Sequence, residues 1–396
     1  MTITFFYLGF VLLLGAELVK GLSANGTPPV LQRFSWQIDL AWFMWTNIAR
    51  FRVILSAVLL VLLWRMTAEE RASVVGVGIA MLLAWYFLYW IFNKFWVGKR
   101  KFLPLERPTF AKSSGNSIDE SVQIVGVEHA AKQKAYPVAM LFYHHQVPDS
   151  IGDLPIWVTY CGMCRSGRVY HRNVDGQALT FSLVGAITYN AVFRDTQTGS
   201  WWRQETGEAA KGPMQGKTLE DVPMEQMSLR NWLAKYPDSE ILQYDPKFQG
   251  KYDFVTSLLN YEASLPGWHM QATPSLIIGL EVGGQARAYD WDELQKRRLV
   301  SERFGDTDVL VLSSADGSSA FAYDRQVDDA VLEFEINGDE LIDTNTGSKW
   351  DIFGRCVSGP KAGAQLEGLQ NYKQFVRAWA SFHPHTTYYQ FEGSYV

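Results

Sequence analysis

Cysteine is scarce: three in 396 residues are too few for a disulfide scaffold, and a chain this long can hold a core without one. Also missing are a phosphate loop, a dinucleotide fingerprint, a nucleophile elbow and a Cys-x-x-Cys-His haem attachment, since Arg165 stands where that last histidine would be. Positive charge is short beyond the first hundred residues. Residues 1–101 hold ten Lys/Arg and four Asp/Glu of the chain's 36 and 41, leaving 26 against 37 in the rest, a formal charge of −11. A module that acidic repels a polyanion, which argues against nucleic acid as a partner. A hydrophobic share of 47% with 19% charged argues against disorder.

What is abundant is apolar sequence near the N-terminus. Runs at Thr4–Val19, at Val53–Trp64 (extending back through Leu40–Ala49) and at Val74–Trp96 read as about three transmembrane helices. The third alone has the length to cross a ~30 Å hydrocarbon core. A signal peptide followed by buried helices fits less well, because the first run lacks a basic n-region and a small-residue cleavage site. Trp36, Trp42, Trp45, Trp64, Trp85, Trp90 and Trp96 fit aromatic belts at the two faces of a lipid bilayer. Only Arg65 and Arg71 lie between the second and third runs. Lys20, Arg33, Arg50 and Arg52 follow the first, and Lys99, Arg100 and Lys101 follow the third, a pattern that puts the C-terminal module in the cytoplasm.

Beyond the anchor the sequence answers itself. Ile124–Glu128 matches Ile277–Glu281, Lys134-Ala-Tyr136 matches Arg287-Ala-Tyr289, and Val169–Arg172 matches Ala322–Arg325. Asp195-Thr-Gln-Thr-Gly-Ser200 matches Asp343-Thr-Asn-Thr-Gly-Ser348, and Trp232–Pro237 matches Trp379–Pro384. The order is kept and the offset stays near about 150 residues, the signature of a tandem repeat. Short β-branched or aromatic runs at Ile156–Tyr160, Leu179–Val184, Val309–Leu312 and Val331–Ile336 predict strands. Asp-Gly at 175–176, Thr-Gly at 198–199, Asn-Gly at 337–338 and Thr-Gly at 346–347 punctuate hairpins. One helix per copy is expected, around Ser228–Tyr236 and Leu369–Phe382. The expected fold is therefore a transmembrane anchor at 1–101, a linker at 102–121, and a strand-dominated α+β module built as a pseudo-dimer. Its first repeat spans 122–250, a connector 251–273, and its second, degenerate repeat 274–392.

The pattern with chemistry in it is Cys161-Gly-Met-Cys164, at the end of a strand-like run. Two cysteines three apart can close a disulfide, hold a soft metal or exchange with other thiols. Arg165 and Arg168 follow directly, and nearby positive charge favours the thiolate. His144 and His145 lie upstream and reach the sulfurs if the two segments are adjacent strands. Aligned through the repeat, Cys161 falls on Ser314, Cys164 on Gly317, and His144 and His145 on Arg297 and Arg298. The fold does not require these residues, because the second copy does without them. Met163 adds a thioether suited to Cu(I), and a closed zinc site would need a histidine and one further group. Cys356 reads as a buried apolar cysteine, and Asp195 and Asp343 as turn-capping side chains. His383 lies near the pseudo-twofold seam, where the first copy has Tyr236.

At these residues the sequence resembles the bacterial and archaeal family catalogued as domain of unknown function 3179, over about residues 120–390. The resemblance is carried by His144–Asp149, Thr159–Gly167, Thr198–Gln204, Thr206-Gly-Glu208 with Gly212-Pro213, and Ser381–Pro384. It implies relatives in which selenocysteine replaces a cysteine corresponding to Cys161 or Cys164, which tilts towards chemistry. It also implies export, hence a module outside the bacterial inner (plasma) membrane, opposite to the charge pattern; three crossings from an N-terminus inside deliver that topology, and a fourth through residues 36–49 would reverse it.

Three functions follow. In a membrane-tethered thiol redox protein, Cys161 or Cys164 attacks, the other resolves, and Arg165 and Arg168 favour the thiolate. A copper or zinc site would use Cys161, Cys164 and His144 or His145. An accessory subunit would dock its helices in a larger membrane complex and keep the cysteines as a staple. Whether the protein is an enzyme is left open by its sequence.

Overall fold

The computed structural model describes residues 1–26, 29–105, 107–264, 275–338 and 340–391. Three helices, α1 (Thr2–Ser23), α2 (Gln37–Arg65) and α3 (Ala68–Trp90, running on as a π-helical turn Ile91–Phe95), are long and apolar enough to cross a membrane. Residues 36–49 make no separate crossing, because Gln37–Arg65 is one continuous helix. At 1.5 Å per residue its 29 residues span about 44 Å, more than the ~30 Å of hydrocarbon, so one end stands clear of the acyl region. A capping box starts α3: Thr67 Oγ1 accepts from the Glu70 amide, and Glu70 Oε2 accepts from the Thr67 amide.

The short helix α4 (Gly98–Lys101) precedes a strand-rich region. Its first half runs β1 (Phe110–Lys112), β2 (Gln123–His129), β3 (Lys132–Pro137), α5 (Val138–His144), β4 (Gln146–Ile151), β5 (Leu154–Cys161) and β6 (Ser166–His171). Next come β7 (Asn173–Val174), β8 (Gln177–Ala178), β9 (Phe181–Ile187), β10 (Asn190–Asp195), β11 (Trp201–Arg203) and β12 (Ala209–Lys211). The half closes with β13 (Glu225–Ser228), α6 (Leu229–Lys235) and β14 (Glu240–Leu242), and α7 (Gln249–Ser264) follows. The second half keeps that order: β15 (Leu276–Val282), β16 (Gln285–Asp290), α8 (Trp291–Arg297), β17 (Leu299–Phe304), β18 (Thr307–Ser313) and β19 (Ala320–Asp324). It continues with β20 (Gln326–Val327), β21 (Ala330–Val331), β22 (Phe334–Asn337), β23 (Glu340–Asp343), β24 (Lys349–Trp350) and β25 (Cys356–Ser358). It ends with β26 (Glu367–Gly368), matched in the first half by the isolated bridge of Tyr170 with Asp221, then β27 (Asn371–Phe375), α9 (Val376–Phe382) and β28 (Thr387–Tyr388). The connector expected at 251–273 is described as far as Ser264; residues 265–274 lie outside the described residues.

Sheet order also corresponds. The series β14-β3-β2-β13 stands against β28-β16-β15-β27, with β14 parallel to β3 and β28 parallel to β16. Side-chain pairs repeat as well. Tyr136 Oη and Lys134 Nζ each donate to Asp149 Oδ2 at 2.8 Å, while Tyr289 and Arg287 donate to Glu302 at 2.6–2.9 Å. Asp195 caps its turn by accepting from Thr198 and the Trp202 indole, as Asp343 does from Thr346 and the Trp350 indole. Gly126 and Gly279 each lie under a tryptophan: a Cβ there would meet Trp232 at 2.3 Å or Trp379 at 2.5 Å.

Three expectations need correction. Val331–Ile336 is not one strand; the Leu332 amide turns to the Arg325 carbonyl and the Glu333 amide to Asn345, which separates β21 from β22. The segment Leu369–Phe382 is helical only from Val376, since 371–375 pair with β15 as an edge strand. Helices α5, α7 and α8 were not expected; α5 is apolar almost throughout and shows no amphipathic period.

Two compact units result. One comprises Met1–Leu103 with Phe181–Arg203 and Glu208–Lys217; the other comprises Pro104–Thr180, Gln204–Gly207 and Thr218–Val396. In the first, the sheet β9–β12 packs Val184, Ile187, Val192 and Trp201 against Ala24, Ile38 and Ala41, with Trp42 and Trp45 edge-on to Trp201. The second holds a core that mixes both halves, Ile124, Trp232 and Ile241 with Leu310, Phe321 and Trp350.

Candidate functional site

The cysteine turn is built by register. Cys161 ends β5 opposite Ser166 at the start of β6, and four residues close the hairpin. The amides of Cys164 and Arg165 both donate to the Cys161 carbonyl, at 3.2 and 2.8 Å, which requires Arg165 to take a left-handed φ of 62°. This brings the Cα atoms of Cys161 and Cys164 to 5.2 Å, with the two sulfurs at disulfide distance. Cys161 is 2% exposed and Cys164 0%. Gly162 lies under the Phe142 ring, where a Cβ would stand 2.8 Å away. The Arg165 guanidinium sits between the rings of Phe142 and Phe375, at 5.1 and 5.8 Å. Burial draws its pKa down, and a hydrogen bond with Tyr160 opposes that shift. The second half reaches the turn directly, since the Phe375 amide donates to the Cys164 carbonyl at 2.8 Å.

Two positions further along the ladder, where Arg168 stands opposite Thr159, is a buried ion pair. Arg168 Nη2 donates to Glu205 Oε1 at 2.6 Å, Ser166 Oγ donates to Glu205 Oε2 at 2.8 Å, and the Tyr372 ring lies 3.4 Å from the guanidinium carbon. Gln204 beside them is fully buried, its amide donating to Thr159 Oγ1 and its carbonyl accepting from Tyr170 Oη. Desolvation opposes both charges, yet each wins from its partner. The Arg168 pKa is raised because Glu205, Tyr372 and Tyr170 outweigh burial, and the Glu205 carboxyl is held low because Arg168, Ser166 and Gln374 do the same. Asp221 stands at the rim, its carboxyl raised by burial and by Glu281 and Glu205 against the pull of Arg168. His383 stacks on Trp379 at 3.9 Å, with Nε2 3.6 Å from Glu281.

The two upstream histidines are not on a strand. His144 is the last residue of α5, and its Nε2 is hydrogen-bonded to the Tyr252 hydroxyl of α7 at 2.7 Å. His145 is that helix's cap at φ 64°, its carbonyl accepting from the Tyr160 amide. Arg298 caps α8 with φ 67° and accepts from Ser313 in the same way. Among the described residues no three His, Cys, Asp or Glu side chains group as metal ligands.

The sequence pattern of the family described as "Protein of unknown function (DUF3179)" matches residues 103–386. The chain belongs to that family. No curated protein and no solved structure matches it. Three separate segments of the DUF3179 module meet at the site: the turn with Cys161 and Arg168, the stretch Gln204–Gly207, and α9 with His383. Of these, sequence reasoning singled out Cys161, Cys164, Arg165 and Arg168, which are close neighbours here. It missed Glu205, Asp221 and Tyr372; the one signal in the chain was that Glu205 lies between the motifs Thr198–Gln204 and Thr206-Gly-Glu208.

The site carries a pH signature. Burial chiefly lowers the His383 pKa below its ordinary 6.5, and Arg168 acts the same way, against Glu281 and Glu205. The unfolded chain then takes the proton first, so stability is lost as pH falls below about 6.5. Acidification from about pH 7.5 to about pH 5.5 is expected to lower the thermal midpoint, and His383→Phe, which keeps the ring on Trp379, to flatten that slope.

Proposed function

We propose that the DUF3179 module is a membrane-tethered binding domain, with Cys161–Cys164 as a disulfide that braces its ion-pair centre rather than a thiol pair that turns over. The observation that carries this reading is the burial of both sulfurs beneath an amide from the second half. Reactive cysteines sit in partly exposed, electropositive surroundings, whereas here the nearest cation, Arg165, is itself sandwiched between two rings. A cleft of about 480 Å³ supports the binding role; Asp221 and Tyr372, which adjoin Arg168, line it together with Glu128, Glu225 and Lys235. Lys235 is paired with Glu225 at 2.7 Å, so the cleft favours a neutral or cationic polar ligand.

The disulfide also supports an extracytoplasmic module, because such bonds persist in oxidising compartments, although the basic residues flanking the helices argue for the other face. The matching element order, caps and ion pairs support a duplicated unit whose second copy needed no brace at Ser314 and Gly317.

Thiol exchange is the second reading, favoured by the half-exposed tip Gly162-Met163, which gives a partner thiol an approach. Timed alkylation separates the two. In acid-quenched cells the pair is expected to be oxidised, and in native membranes it should resist mild reductant until the module is unfolded. Rapid native reduction with repeated turnover of a disulfide substrate would establish exchange, and reduced cysteines in quenched cells would overturn the extracytoplasmic placement. Replacing both cysteines by serine is expected to cost about 2 kcal/mol, the loop-closure value for a four-residue ring.

A further inference from the structure

The membrane-anchored unit holds a polar cluster that neither the disulfide nor the cleft uses. Glu17 of α1 is fully buried and doubly bonded to Arg52 of α2, Nε to Oε1 at 2.5 Å and Nη2 to Oε2 at 3.0 Å. Asn93, on the π-helical turn after α3, donates to Glu17 and accepts from Arg52. That pair is neutral as a unit. Lys20, one turn further along α1, is 8% exposed and gives its ammonium to neutral acceptors, the Phe92 carbonyl at 3.3 Å and Asn93 Oδ1 at 2.7 Å. Among the described residues no carboxylate lies within ion-pair distance of Lys20, so one positive charge per chain is left at the end of the helix bundle. A buried charge there is expensive and marks function by default.

Beside Lys20 is a cavity of about 270 Å³ in the same unit. Arg194 of β10 and Ser182 of β9 line it on the polar side, with Trp45, Phe92 and Val97 among its apolar walls. Arg194 also has no carboxylate within ion-pair distance among the described residues, and no acidic residue lines the space. The Lys20 ammonium stands 5.0 Å over the Trp45 ring, which holds it towards the cavity's aromatic wall. Two cations with no carboxylate at ion-pair distance among the described residues, together with a hydroxyl, define an anion site, while the apolar walls and the spanning helices define a ligand with acyl chains. Basic pockets at the ends of transmembrane helices bind anionic headgroups on the same principle.

We infer that this cavity binds the phosphate ester of an anionic phospholipid, with Lys20 and Arg194 as its two cationic contacts. The full chain, purified in a mild detergent, would be examined by native mass spectrometry with dioleoyl-phosphatidylglycerol and dioleoyl-phosphatidylcholine in competition. Retention of the anionic lipid over the zwitterionic one by about tenfold is expected. Arg194→Gln, at an exposed position that leaves the helix bundle intact, should erase most of that preference, and Lys20→Gln should do the same. Thermal unfolding with inorganic phosphate alone separates a lipid site from a phosphate site. Equal retention of the two lipids, an unchanged preference in Arg194→Gln, or protection by inorganic phosphate equal to that by the anionic lipid would each overturn the inference.

Discussion

Arg168→Met is expected to destabilise the module by about 3–5 kcal/mol, the usual consequence of removing one partner from a buried ion pair. Glu205 would keep Ser166 and Gln374 and lose the Arg168 guanidinium, in a place where its side chain has no contact with water. The size of the loss comes from the stranded carboxylate rather than from the pair's net value, since two buried charges repay their desolvation only in good geometry. A double variant, Arg168→Met with Glu205→Leu, should therefore recover most of the stability while abolishing any ligand affinity that depends on the centre. Denaturant midpoints followed by tryptophan fluorescence report both. A single-variant cost of about 1 kcal/mol or less, typical of surface pairs, would mean that water reaches the centre and that its charges do not organise the seam.

Trp379→Ala should cost a comparable amount, about 3–5 kcal/mol for a fully buried aromatic. The indole fills the space that Gly279 leaves open, donates to Thr386 Oγ1 at 2.8 Å, and carries the His383 ring. Two outcomes are expected together: a lower midpoint at neutral pH and a flatter dependence on acid, because the histidine would no longer be held in a dry setting. Trp232→Ala is the matched control. It removes an indole equally buried over Gly126, donating to Ser239 Oγ at 2.7 Å, but carries no histidine. It should lower stability by a similar amount and leave the acid slope intact. If both variants flattened the slope, the signature would belong to the module as a whole and not to His383.

Much of this arrangement was legible in the chain because it depends on local chemistry. The three apolar runs, the Asp-Thr-x-Thr-Gly turns and the Cys161–Cys164 hairpin each follow from spacing within a few residues. What was not legible depends on meetings between distant segments. Nothing near Glu205 announces that its partner is Arg168, and nothing near Tyr372 announces the guanidinium beneath it. His144 and His145 reach the sulfurs only if their segment is a strand adjacent to the cysteine turn; the tertiary setting made Val138–His144 a short buried helix and sent His144 to Tyr252. The segment after Leu369 was expected to be wholly helical, but pairing with β15 overrides helix propensity as far as Phe375.

The amide that covers Cys164 belongs to Phe375, and in the opposite sense the Ser228 amide of the first half bonds to Ser319 of the second. Each half is therefore capped by a hydrogen bond from the other, while its own β13 or β27 stays in its own sheet beside β2 or β15. During synthesis the early lobe emerges with its sulfur turn uncovered and must wait for the far end of the polypeptide before it is sealed. Pairings this remote in sequence are slow to form, so the turn of the newborn chain stays uncovered until Phe375 arrives.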